Sequence, residues 1–235
     1  WNYKDQLATS TNGTFTRTYL YNQDGNRVSS DDGTTVTVYP NKYYTYDGTT
    51  KTKDIYLPAQ AGVRDTLVAT VTKVGSTVTP YYIHTDHLGS TNVTSDSSGA
   101  QVQLLDYFPY GDTRISSGSP SNQRQFLGQK LDSDTSYNYL NARYLQNSTG
   151  RFISEDPVFV NLNQDKLEKF LEDPQSQNSY AYARNNPIIN IDPDGKYWEV
   201  SASGTFLVYS GAVGVRFDSS GLNLFVAGGA GTGIE

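Results

Sequence analysis

Tyr19-Leu20-Tyr21-Asn22-Gln23-Asp24-Gly25-Asn26-Arg27-Val28 is the stretch whose reading decides the fold. Aromatic and aliphatic residues suited to a pleated, half-buried surface flank Asn, Asp and Gly, which turn a chain sharply. The stretch reads as strand, tight turn, strand. Tyr44-Thr45-Tyr46-Asp47-Gly48 is a shortened echo of the same unit, and the similarity supports an internal repeat.

Outward from this unit the pattern continues. Turn signals recur at Asn12-Gly13, Asp32-Gly33, Asp47-Gly48 and Ser98-Gly99, between alternating or β-branched runs such as Thr34-Thr35-Val36-Thr37-Val38-Tyr39. From Tyr3 to about Thr113 the chain reads as a series of hairpins. A two-stranded hairpin is marginal alone, so hairpins of this kind are expected to share edges in a continuous sheet.

Composition agrees. The 235 residues hold 19 Tyr and 21 Gly with 36% hydrophobic residues, a bias toward all-β structure. The length suits one large or two modest domains. A formal net charge of -6 with scattered Lys and Arg leaves no basic footprint, so nucleic acid is not an expected partner. Cysteine is absent, which removes disulfides, thiol nucleophiles and thiolate metal sites. No run approaches the roughly 18 apolar residues of a spanning helix, so no membrane association is expected for the core. Without Met, and opening on Trp1-Asn2-Tyr3-Lys4, the sequence reads as an internal fragment without a signal peptide.

Residues 114–125 are rich in Ser, Gly, Pro, Asn and Gln and read as a flexible connector. The expected organisation is β-hairpins over 1–115, a second segment over 116–195, and a β-rich unit beginning at 196. Leu167, Phe170 and Leu171 fall on one helical face ahead of Pro174, which predicts one short helix over Asn163 to Glu172. After Gly195, Thr205-Phe206-Leu207-Val208-Tyr209 and Val213-Gly214-Val215-Arg216-Phe217 predict glycine-softened strands.

Several motifs carry a family resemblance. Tyr19 to Val28 resembles the YD-repeat unit. His84-Thr85-Asp86-His87-Leu88-Gly89-Ser90 and Tyr107-Phe108-Pro109-Tyr110-Gly111 resemble signatures in the last repeats of Rhs proteins. Gln125 to Lys130, Tyr139 to Tyr144, Thr149 to Pro157, Asn178 to Pro187 and Ile191-Asp192-Pro193-Asp194-Gly195 resemble the Rhs-associated core. Ordered motifs at compatible positions are far more specific than any one alone.

The resemblance implies a spiralling β-shell, with the core domain as a plug and a variable C-terminal polypeptide, a toxin in polymorphic toxins and insecticidal toxin complexes, held inside. The implied partners are that polypeptide, the rest of the shell and a delivery apparatus, in a secreted or cell-surface bacterial protein. No cofactor is implied. Relatives are often aspartic autoproteases that cut just after D-P-x-G-L, and the matching candidates are Asp156, Asp192 and Arg151, with Gly195, Lys196 and Tyr197 as the cleavage region. Lys196 stands where that motif has Leu.

The chemistry is coherent, because two carboxyl groups sharing a site cannot both ionise cheaply, so one serves as acid and the other as base. Arg151 would steady developing negative charge or pair with a carboxylate. A structural reading competes: both aspartates precede Pro, and Asp-Pro initiates turns. Asp156 and Asp192 stand 36 positions apart, which fixes no distance in space.

His84 and His87 are the two histidines, and with Asp86 they mimic a metal cluster, but a metal site needs three or four ligands. A hydrogen-bonded turn is the plainer expectation, and no metal is assigned. The tyrosine stripes suit either sugar binding or sheet packing. The alternative to a self-cleaving container is a non-cleaving structural or adhesive surface protein with a β-structured tip. A third idea makes the glycine-rich tail the start of a membrane-active β effector.

Overall fold

The computed structural model describes residues 1–58, 65–119, 122–157, 174–175 and 177–196, and the backbone of 199–206, 209–218 and 221–229. The helix expected over Asn163 to Glu172 lies outside the described residues.

Eleven antiparallel strands form one open sheet in chain order: β1 Thr9–Asn12, β2 Phe15–Tyr21, β3 Arg27–Asp31, β4 Val36–Asn41, β5 Tyr44–Tyr46, β6 Thr50–Leu57, β7 Thr66–Val74, β8 Thr77–Thr85, β9 Thr91–Ser95, β10 Gln101–Tyr107 and β11 Thr113–Gly118. Each strand pairs with its neighbours in sequence, as a meander of short turns requires. We call this sheet the wall.

One turn geometry recurs between its strands. In Asn22 to Asn26, Asp86 to Ser90, Asp96 to Ala100 and Phe108 to Asp112, the first N–H donates to the fifth carbonyl, and the fourth N–H to the first carbonyl. In the first three, the Oδ1 of the leading Asn or Asp also accepts from the third and fifth N–H groups. That is why Asn and Asp lead these turns. The fourth residue is Gly each time, and at Gly111 (φ +86°) a Cβ would also collide with the Phe126 ring.

The connector is shorter than its composition suggests. Thr113–Gly118 is an exposed strand paired with β10, Leu105 opposite Ser116 and Gln103 opposite Gly118. Ser and Gly are tolerated there because this edge strand has no face to bury.

Beyond it lies a four-stranded sheet of β12 Lys130–Asp132, β13 Tyr137–Leu140, β14 Arg143–Gln146 and β15 Arg151–Phe152, which with the segments packed on it we label the plug. Its core joins Phe126, Leu140, Leu145, Phe152, Tyr182 and Ile191 to Leu88 from a wall turn. A second cluster, Leu7, Tyr19, Tyr139 and Tyr144, seals wall to plug.

Charge crosses the same seam. Arg27 is buried, donates to Asp132 Oδ2 at 2.6 Å, and lies 4.6 Å and 4.8 Å from the Tyr139 and Tyr39 ring centres. Arg17 reaches Asp134 at 2.8 Å, and Arg124 on the plug side pairs with Asp54 on β6. Such pairs are satisfied but unforgiving, since removing one partner strands a buried charge. Between wall and plug remains a cavity of about 580 Å³ with a threonine-rich lining that includes Thr37, Thr52, Thr70 and Thr79.

The third sheet is β16 Asn190–Ile191, β17 Glu199–Phe206, β18 Tyr209–Asp218 and β19 Gly221–Gly229. Asn190 pairs with Val200 and Ile191 with Glu199. The tail therefore pairs antiparallel with a strand inside the core segment, and backbone pairing crosses the expected boundary at 195.

Candidate active site

The site is built around Arg143, the first residue of β14. Asn141 takes a left-handed turn conformation (φ +62°), which brings the chain from β13 back into β14. Arg143 is 3% exposed, and its guanidinium carbon lies 3.5 Å from the centre of the Phe152 ring on β15. With an apolar wall on one face, its N–H groups must find partners in the plane.

They do. Nη2 lies 2.9 Å from Asp156 Oδ2 and 3.0 Å from Asp192 Oδ2. Nη1 donates to the Ser179 carbonyl at 2.9 Å, and Nε to the Gly195 carbonyl at 2.5 Å. One guanidinium thus gathers two carboxylates from distant parts of the chain and two backbone carbonyls.

The segment Asp192 to Lys196 is clamped against the β13–β14 turn. The Asp194 carbonyl accepts from Ala142 N–H at 3.1 Å, and the Pro193 carbonyl from Gln129 Nε2 at 2.8 Å and Asn141 Nδ2 at 3.3 Å. Gly195 has φ +71°, and a Cβ there would lie 2.5 Å from the Leu140 carbonyl oxygen. Only glycine fits this close backbone approach. The Lys196 N–H points back to Asp192 Oδ1 and Asp194 Oδ1, each at 3.1 Å, while the residue itself is exposed.

Asp192 is 3% exposed, and burial pushes its carboxyl up to about 7; Arg143 pulls it down, while Asp194 and Asp156 push it up. Desolvation outweighs the cation, so this group holds or releases a proton near neutrality. Asp156 is more open to solvent, its side chain 16% exposed.

Of the residues expected from sequence, Asp156, Asp192, Gly195 and Lys196 come together. Arg151 lies exposed on β15, where its backbone pairs with Gln146 and Ala181, and the guanidinium between the aspartates is Arg143. Tyr197 lies outside the described residues. The signal that could have pointed to Arg143 is the need of two near-buried carboxylates for a cation, but sequence spacing does not say which arginine supplies it.

The histidines go elsewhere. His84 Nε2 lies 3.0 Å from Ser95 Oγ, and His87 Nε2 lies 3.1 Å from the Ile188 carbonyl. Among the described residues, no cluster of three or more His, Asp or Glu side chains has a metal-binding arrangement. Tyr107 donates to the Thr91 carbonyl at 2.8 Å, a cross-strand packing role. No helix among the described residues is long and apolar enough to cross a membrane.

The arrangement holds the groups that peptide hydrolysis needs: a carboxyl able to carry a proton at neutral pH, a second carboxylate, and a guanidinium on a carbonyl oxygen.

Comparison with known proteins gives the same picture of the fold. The Teneurin YD-shell family matches residues 65–188. The tRNA3(Ser)-specific nuclease WapA of Bacillus spizizenii is 30% identical over 203 residues, 83% of this chain and 8% of that protein. Toxin subunit YenC1 of Yersinia entomophaga is 28% identical over 119 residues, 48% of this chain and 11% of its own length. The crystal structure of TcdB2-TccC3 without its hypervariable C-terminal region superposes with a TM-score of 0.61 at 22% identity, covering 83% of this chain and 10% of that one. The chain thus spans about a tenth or less of the length of these relatives.

Proposed function

The chain belongs to the Teneurin YD-shell family and is a shell segment of an Rhs-type protein, and from that premise we propose that it closes a container and cuts the chain at its plug. In this reading the wall lines the interior, the plug over 116–195 seals it, and the unit from 196 is the start of the enclosed cargo. Its partners are that cargo and the remainder of the shell, with a delivery apparatus, in a protein secreted or displayed at a bacterial surface. The nuclease and toxin names of the relatives belong to those proteins, and the cargo's own activity is left unassigned.

The observation that carries the self-cleavage reading is Arg143, which joins Asp156, Asp192 and the Gly195 carbonyl in one hydrogen-bonded unit. Asp192 is the proton donor, Asp156 the base that takes a proton from water, and Arg143 the cation that meets the developing oxyanion. The test is intact mass spectrometry of the purified chain. Wild type is expected as two fragments, with Asp192→Asn and Asp156→Asn as single full-length species. Full-length mass for all three would remove self-cleavage and leave the shell reading standing.

A non-cleaving structural or adhesive reading draws on a different observation. Asp192 Oδ1 accepts the Lys196 N–H four residues on, a local cap that an aspartate makes in many turns without catalysis. Under this reading Asp192→Asn changes stability alone.

A further inference from the structure

We propose that the cavity between wall and plug is a binding site for small hydroxyaldehydes, held by reversible condensation with the side-chain amine of Lys130. This site is separate from the aspartates around Arg143 and does not depend on self-cleavage.

Lys130 opens β12, and its backbone is fixed on two sides, pairing with Tyr139 on β13 and bridging to Arg124. The residue is 7% exposed and lines the cavity of about 580 Å³. Its Nζ lies 4.0 Å from the centre of the Tyr39 ring on β4. Among the described residues Nζ has no hydrogen-bond or salt-bridge partner, although two carboxylates stand nearby. Those are already engaged: Asp132 by Arg27 and, at 3.9 Å, by Arg17, and Asp54 by Arg124.

A buried ammonium without a partner is costly, and the neutral amine escapes that cost. Burial, with Arg124 and Arg27 close by, holds the Lys130 amine well below the usual lysine range, against the opposite pull of Asp54 and Asp132. The Tyr39 face favours an ammonium, but one ring offsets only part of the lost hydration. A desolvated, neutral lysine amine is a nucleophile toward a carbonyl carbon.

The rest of the lining selects the carbonyl compound. Thr45, Thr52, Thr72 and Thr79 stand in one register row across β5 to β8 on the cavity side of the wall. Among the described residues, the hydroxyls of Thr37, Thr45, Thr52 and Thr79 have no hydrogen-bond partner, and each offers a donor and two acceptor sites. An apolar aldehyde would displace water from these hydroxyls and leave them unpaired, whereas a hydroxylated one pairs with them.

The step balances without a co-reactant. The Nζ lone pair adds to the aldehyde carbon, a proton passes from nitrogen to oxygen, and the carbinolamine loses one water to give the imine. Addition of water reverses it.

The test is reductive trapping on the full chain at slightly acidic pH, where exposed lysines are protonated. D-glyceraldehyde or propanal is supplied with cyanoborohydride, and adducts are located by peptide mapping, with exposed Lys51 and Lys53 as internal references. Lys130 is expected to take up glyceraldehyde about tenfold faster than Lys51 and Lys53, or more, because more of its amine is unprotonated. With propanal the ratio of Lys130 to Lys51 labelling is expected to fall about fivefold, the effect of one lost hydrogen bond. In urea the preference for Lys130 should vanish. Labelling of Lys130 no faster than the reference lysines overturns the site, and equal ratios for the two aldehydes overturn its ligand class. A preference that survives urea belongs to the local sequence and overturns the role of the cavity.

Discussion

In the wall, every strand pairs with its chain neighbours and the turns close on themselves; in the plug, the residues that matter come from far apart. Asn22, Asp86 and Asp96 bond to N–H groups two and four residues away. Arg27 meets Asp132 from 105 positions away, and Arg143 meets Asp192 from 49. The wall is thus built from many small local terms. The plug rests on a few buried charges, each costly to disturb.

The largest effect is expected where plug and wall meet. Asp132→Ala leaves Arg27 charged among four tyrosine rings, and stability should fall by about 3–5 kcal/mol, the usual cost of breaking a buried pair. Denaturant unfolding followed by tyrosine and tryptophan fluorescence measures it. A loss under about 1 kcal/mol, the level of an exposed pair, would put the seam's strength in its apolar contacts.

Next comes Gly111→Ala, which adds a methyl group to a left-handed turn and drives it into Phe126. A loss of about 1–3 kcal/mol is expected from strain and overpacking together. This substitution sits in a wall turn but should act on the plug, so limited proteolysis is expected to cut first within 122–157.

The pH response isolates the plug further. Asp192 keeps its proton up to about pH 7 when folded, against an ordinary value of 3.8, so the folded state holds a proton that the unfolded chain has released. Between about pH 4 and 7 this group's contribution to stability therefore falls as pH rises, and it is level above that window. Arg143, Asp156 and Asp194 face the same carboxyl and set the midpoint. Thermal unfolding of wild type against Asp192→Asn should show the difference growing across that window; parallel curves would place the titration elsewhere.

The smallest effect is expected in a single wall turn. Asp86→Ala removes acceptors for the Leu88 and Ser90 N–H groups, at a cost of about 1 kcal/mol. A collapse of the whole chain on this change would contradict the picture of a wall made of many modest terms.

The same contrast explains what the sequence could tell. Turns such as Asp24-Gly25 and Ser98-Gly99 are read directly, since backbone geometry and side-chain caps lie within five residues. The two aspartates and Gly195 followed from motif resemblance. Arg143 did not, because its role comes from a tertiary meeting of β14, the Asp156 segment and the Asp192 turn, and Arg151 was an equally plausible cation by spacing. The β11 strand was hidden by its Ser-rich composition, and the pairing of β16 with β17 by the Asp-Pro-Asp-Gly turn that suggested a break.

Under the proposed self-cleavage, chemistry resides in the plug and not in the wall. Intact mass spectrometry of wild type, Asp192→Asn and Asp86→Ala, each purified and incubated at neutral pH, tests it most directly. Fragments are expected from wild type and Asp86→Ala, and one full-length species from Asp192→Asn. Fragmentation of Asp192→Asn at the same bond would contradict it.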